Sequence, residues 1–447
     1  MNEPVSFPCE AIPQHGPHAR LLGIYPQCQE GRFLQRVRVP IGLPSSAQWR
    51  ALADIAERFT PGTPLHLTTR QDVEIHDLSA ESLPLAQKAL AQAGLTGFAS
   101  AGDTLRNITL CPCSGSCSGR PDLRPLAIQI DRSLRQLDGL YTLPRKFKIS
   151  LSACPKACAQ PYINDLGFVA MPDGQFLVTV AGSLGARPGT GVILREDLPP
   201  GEVLPLVSAT VKFFAAHGDR EHRATARLRH VRQRMGDEPF LTQLREAIAK
   251  ETAAGNWPPV QIPTIEGNRG AKLSLVFANG DVTPEAAKAL AELAADESLS
   301  VRIANHHRVV VFGPDKPSIQ ARIDRFPALR PAAGPQATVT ACPGNRWCSH
   351  GLVNTNALAD RLRAELGDRL AGKMVCVSGC PNGCAHSAVA EVGLHGSRST
   401  IDGKTVETFT LSRGGGRGRT AVLATQVAVK LTQDNVIEKL RSDLGEP

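Results

Sequence analysis

A chain of 447 residues with 42% hydrophobic and 21% charged content is long enough for roughly two to four packed domains and too apolar to be disordered throughout. Fifty lysines and arginines against 42 acidic residues give a net charge of +8, which suits an anionic substrate, an anionic cofactor or an acidic partner; no basic run interleaved with aromatics marks a nucleic-acid surface. Residues Met1 to Glu30 contain no signal-peptide-like apolar run and no later stretch has the length of a membrane span, so a cytoplasmic protein is expected, in which twelve cysteines point to metal or cluster ligation more than to disulfides.

Along the chain, G-R-F-L-Q-R-V-R from Gly31 alternates as a strand does and is followed by the helical pattern A-Q-W-R-A-L-A-D-I-A. L-H-L-T-T-R-Q-D-V-E-I-H from Leu65 reads as a further strand carrying Arg70. Arg106 precedes Cys111 and Cys117, which have five residues between them, and Lys146 and Lys148 alternate on one strand face leading into Cys154 and Cys158, with three between. The Pro-rich, aperiodic stretch from Ala253 to Thr264 reads as a linker. The same series then recurs: G-A-K-L-S-L-V-F from Gly270, A-A-K-A-L-A-E-L-A, V-R-I-A-N-H-H-R-V-V-V-F from Val301, a Pro-rich break from Ala328, Cys342 and Cys348 with five between, and Cys380 and Cys384 with three. The chain is an internal duplication of α+β (mixed α/β) class, with expected modules at 1–100, 101–252, 265–330 and 331–447 around the 253–264 linker.

Four cysteines in two close pairs suit either zinc or an iron–sulfur cluster. A separation of five is longer than structural zinc sites usually use, whereas looser loops suit a cubane. In C-P-N-G-C, Pro381 and Gly383 permit a tight turn that aims both thiolates at one centre. On spacing alone, cluster, zinc and buried thiols all stay open. Cys9, Cys28, Cys113 and Cys376 follow no such pattern and read as plain thiols.

T-A-C-P-G-N-R-W-C-S and S-G-C-P-N-G-C-A resemble the cluster motif of the siroheme sulfite and nitrite reductases, and the likeness extends in family order to G-I-Y-P-Q-C-Q-E-G-R-F, T-T-R-Q, L-R-N-I-T and L-P-R-K-F-K. The resemblance implies two ferredoxin-like half-modules plus two siroheme/[4Fe-4S]-type modules. It implies a [4Fe-4S] cluster on Cys342, Cys348, Cys380 and Cys384, with Cys384 bridging to the siroheme iron. It sets Arg70, Arg106, Lys146 and Lys148 around the bound anion, and Asn382 with Arg413, Arg417 and Arg419 of S-R-G-G-G-R-G-R-T near the cofactor. The chemistry agrees: reducing a small oxyanion needs cations that hold it and donors that protonate its oxygens, which arginine and lysine supply. In the family the position of Lys148 tends to be lysine in sulfite reductases and asparagine in nitrite reductases, which tilts the expectation toward sulfite.

His306, His307, His350 and His386 need not ligate iron if a cysteine bridges, and read as surface or hydrogen-bonded histidines. No dinucleotide fingerprint is present, so electrons are expected from an external ferredoxin or flavoprotein reductase. Other readings are a nitrite reductase of the same fold, a precorrin-3B synthase-like oxygenase and a non-catalytic electron-transfer subunit. The first-half quartet Cys111, Cys117, Cys154 and Cys158 departs from the family's usual single quartet and suggests a second cluster, with or without a second siroheme. Its cage, read off the repeat as Ala337, Gly372, Met374 and His306, is expected to lack charge.

Overall fold

Helix Ser46–Phe59 opens on a capping box, in which Gln48 N donates to Ser45 Oγ at 3.2 Å and Ser45 N donates to Gln48 Oε1 at 3.0 Å. Its repeat counterpart, Pro284–Ala295, opens on Thr283 with proline in the first turn. The two helices pack on each other, and their buried residues, Trp49, Leu52 and Ala56 on one and Ala287 and Leu290 on the other, belong to one core. The structure is a computed structural model that describes residues 16–116, 119–260, 262–263, 270–333 and 338–445.

Two antiparallel sheets border this core. One runs Ile24–Pro26, Arg32–Val37, Val73–Ser79, Leu65–Leu67, and is completed by Asp281–Val282 from the second half of the chain. The other runs Ala271–Val276, Arg308–Gly313, Ser300–Ala304. The two ferredoxin-like half-modules are thus fused through a shared core and a shared sheet edge.

Where the sequence pattern from Leu65 and from Val301 reads as a continuous strand, the structure has a hairpin in each case. The chain turns over Thr68–Asp72 and over Asn305–His307, and Arg70 sits in the first turn rather than in a strand. No glycine or Asn-Gly signal marks either turn. The left-handed conformation is carried by Gln71 (φ 64°), His306 (φ 62°) and His307 (φ 56°), residues that seldom adopt it.

The larger modules share one topology. Thr109–Leu110, Ile149–Ser152, Leu166–Ala170, Phe176–Val180 and Val192–Leu198 form a sheet in chain order, as do Val339–Ala341, Val375–Ser378, Val392–Ile401, Lys404–Arg413 and Thr425–Leu431. In both, the first three strands are parallel and the last two antiparallel. A helix follows the first strand (Arg124–Leu134; Thr355–Leu366) and another the last (Val203–His217; Gln433–Leu444). Each module has its own apolar core. Lys146 and Lys148 lie just before the Ile149–Ser152 strand, on either side of Phe147, whose ring is buried against Phe214. No helix among the described residues is long and apolar enough to cross a membrane.

Candidate functional site

Cys342 follows the Val339–Ala341 strand, its N–H donating to Val377 O at 3.1 Å, and Cys348 closes a single 3-10 turn by donating to Gly344 O at 3.0 Å. Cys380 and Cys384 sit on the turn after Val375–Ser378, where Gly383 adopts φ 65° and Ala385 N donates to Ser378 Oγ at 3.2 Å. The loops meet at Gly379, whose N–H donates to Cys342 Sγ at 3.1 Å. A Cβ there would lie 2.8 Å from Gly344 Cα, so only glycine lets the two cysteine loops approach. The four thiols are near enough to interact. Burial raises Cys342, with Cys384 adding to it; burial raises Cys348 to about 11, with Cys384 and Cys380 adding. Burial also raises Cys380, while the Asn382 backbone and side chain hydrogen-bond to its thiol and oppose the rise.

The cations of the first half converge on this loop. The turn bearing Arg70 docks directly on it, Thr69 Oγ1 donating to Cys384 O at 3.0 Å. Arg70 reaches Asn164 Oδ1 at 2.8 Å and Asn107 O at 2.6 Å, while its Nε is buried without a partner. Arg106 gives hydrogen bonds to the carbonyls of Ser100 and Gly102 and lies beside the Tyr25 hydroxyl. Lys146 and Lys148 are half-buried, and among the described residues neither ammonium has a hydrogen-bond acceptor. Burial, then Arg106 and Arg227, lower Lys146 to about 7, against the opposing pull of Cys384. Burial, then Arg70 and Lys146, push Lys148 well below the ordinary lysine range. Burial lowers Arg70 to about 9.

Two family descriptions match the chain: the nitrite and sulphite reductase 4Fe-4S domain over residues 101–252 and 336–442, and the nitrite/sulfite reductase ferredoxin-like half domain over residues 25–93. The chain belongs to the nitrite and sulfite reductase family. The reductase is 31% identical to the ferredoxin–nitrite reductase of Synechococcus elongatus, covering 93% of this chain and 86% of that one. It is 29% identical to the assimilatory ferredoxin-dependent nitrite reductase of Haloferax mediterranei (87% and 75% covered) and 27% identical to the sulfite reductase [NADPH] hemoprotein beta-component of Acidithiobacillus ferrooxidans (82% and 74%). Its fold matches that of the Mycobacterium tuberculosis NirA protein with a TM-score of 0.80 over 94% of this chain and 85% of that one, at 23% identity. As a member of this family it is an oxidoreductase that carries siroheme and a [4Fe-4S] cluster. The residues fit both groups: four thiols on two converging loops suit the cluster, and the cations gathered beside them, Arg70, Lys146, Lys148, Arg227 and Arg417, suit a cofactor rich in carboxylates.

The Gly-rich segment divides. Arg417 reaches inward, its Nη1 2.6 Å from His306 Nε2, and lies near Cys376. Arg413 does not join it: its guanidinium pairs with Asp443 of the terminal helix at 2.9 Å, which corrects its expected place beside the cofactor, and Arg419 is exposed. His306 also hydrogen-bonds Gln160 and Thr340. His386 stacks edge-on with His306 at 5.5 Å and faces Lys148, Arg70 and Arg417, with its Nδ1 unpartnered. His307 is buried and His350 exposed.

Sequence reasoning overlooked Arg227, which forms a buried ion pair with Asp165 at 2.8 Å beside the two lysines; the same carboxylate accepts from Lys148 N at 2.9 Å. The dense arginines from Arg220 to Arg234 were the available signal. Cys28 is not a plain isolated thiol: it packs on the Cys348 loop, donating to Asn345 O at 3.2 Å.

Proposed function

We propose that this reductase takes sulfite to sulfide in a six-electron reaction with electrons from an external donor, using Arg70, Arg106, Lys146 and Lys148 to hold the anion and Cys342, Cys348, Cys380 and Cys384 to hold the cluster. The observation that carries the proposal is the pair of half-buried lysines, Lys146 and Lys148, which have no hydrogen-bond acceptor among the described residues, Lys146 lying beside Cys384. Buried cations without a partner are costly, and an oxyanion supplies the missing acceptors. Siroheme and the cluster, when bound, would relay the donor's electrons to the anion.

Lys146 and Lys148 then orient the anion's oxygens and donate protons as those oxygens leave as water, a task for which a lysine lowered to about 7 is well matched near neutral pH. Arg70 and Arg106, both hydrogen-bonded to the protein, contribute fixed positive field. Asn382 hydrogen-bonds the Cys380 thiol, and Arg417 and Arg227 would hold the cofactor's carboxylates.

Sulfite is favoured by Lys148, an extra cation suited to a doubly charged anion. A second reading, nitrite to ammonia, is supported by the names of the Synechococcus and Haloferax relatives, which also favour ferredoxin as the donor. Steady-state rates on both anions with reduced ferredoxin separate the two: a higher kcat/KM for sulfite is expected, and the reverse order would replace it with nitrite.

A further inference from the structure

The duplication persists into several hydrogen bonds of the first-half cysteine loops, although Ala153 stands where Gly379 does in the second half. Cys111 N donates to Leu151 O at 2.9 Å as Cys342 N does to Val377 O, and Ala159 N donates to Ser152 Oγ at 3.1 Å as Ala385 N does to Ser378 Oγ. Ala157 takes φ 53° where Gly383 takes 65°, and Gln160 takes 58° where His386 takes 68°. The hairpin turn of the opposite half docks here too: Asn305 Nδ2 donates to Cys158 O at 3.4 Å, the counterpart of Thr69 on Cys384 O.

Three thiols on these loops gather: Cys111 interacts with both Cys158 and Cys113, so Cys113, which lies off the repeat, joins the group, and Cys154 shares the turn of Cys158, its carbonyl accepting from Ala157 N at 3.0 Å. Cys117 lies outside the described residues. Positive charge surrounds them. Lys272 Nζ donates to Cys113 Sγ at 3.3 Å, Lys156 and Arg308 lie beside Cys158, and Arg302 lies beside Cys111 and Cys113 while bonding Pro112 O at 2.7 Å and Ser114 O. In the expected cage Gly372, Met374 and His306 bring no charge and Ala337 lies outside the described residues; the cations beside the thiols come instead from Lys156 on the cysteine loop and from Lys272, Arg302 and Arg308, on strands whose first-half counterparts carry Phe33, His66 and Asp72.

We propose that Cys111, Cys113, Cys154 and Cys158 hold a second iron–sulfur cluster. Three of the four occupy the positions of Cys342, Cys380 and Cys384 in a loop frame that the 4Fe-4S domain family matches in both halves. A cluster on four thiolates is anionic, and Lys272, Lys156, Arg302 and Arg308 would offset that charge.

The test is cofactor stoichiometry in the purified holoprotein. About eight acid-labile sulfides per siroheme are expected, against about four if only the second-half quartet is loaded. Cys158→Ser and Cys113→Ser should each bring the ratio down by about half while the siroheme absorption is unchanged. A wild-type ratio of about four, or zinc in place of the extra iron, would overturn the proposal, as would a Cys158→Ser protein that keeps all its labile sulfide. If that variant does not fold, the wild-type ratio decides alone. These readouts are independent of turnover, so a failure of the sulfite assignment leaves them standing.

Discussion

The two cysteine-bearing modules have the same strand order and the same loop hydrogen bonds, yet they spend their cations differently. On the Cys384 side, Lys146 and Lys148 have no hydrogen-bond acceptor among the described residues; on the Cys158 side, Lys272 donates to a thiol and Arg302 to two carbonyls. The difference teaches that a duplicated scaffold separates a site that binds exchangeable anions from one that does not by hydrogen-bond saturation rather than by net charge. A cation whose donors are already engaged acts on an anion chiefly through its field, whereas one without an acceptor can also donate to it.

The sharpest way to break the comparison is Cys384→Ser. It should abolish sulfite and nitrite turnover and uncouple the magnetic signals of cluster and siroheme in electron paramagnetic resonance, whereas Cys158→Ser should leave measurable turnover. Equal loss in both variants would move the active centre away from Cys384. Next in size, Lys146→Met should lower kcat/KM by about 100-fold, the scale of a lost proton donor, with siroheme content unchanged. Lys148→Asn should cost less, and should cost sulfite more than nitrite; equal losses would remove Lys148 from anion selection.

A pH profile follows from Lys146. Its lowered value means the ammonium is present below about pH 7 and neutral above, so kcat/KM, which reports the free enzyme, should fall as pH rises through about 7. In Lys146→Met that limb should vanish. The smallest effect concerns the matched turn positions: Gly383→Ala should destabilise the protein by about 1 kcal/mol and Ala157→Gly should be neutral or stabilising by up to ~1 kcal/mol in denaturant unfolding, because only a side chain is strained at positive φ.

The duplication and the paired cysteines were legible because each is a short-range pattern, whereas Lys146 and Lys148, expected on one strand face, lie before the Ile149–Ser152 strand. What escaped depended on conformation or on distance in the chain. Arg70 was read onto a strand because Gln71 carries the turn without a turn residue's signature. Arg227 finds Asp165 only when the helix Leu228–Met235 packs back on the sheet. Arg413 shares a Gly-rich run with Arg417, but strand direction sends it to Asp443 instead. Cys113 breaks the repeat's spacing, so a search by spacing passed over it.

The strand Asp281–Val282 closes the edge of a sheet begun at Ile24. During synthesis, Leu65–Leu67 therefore emerges long before its partner, and the open edge waits until more than half the chain has been made. Unpaired edges of this kind recruit other chains, so a ribosome-bound fragment ending at the linker should be far more prone to aggregation than the finished protein, and neither half should be expressible as a soluble piece.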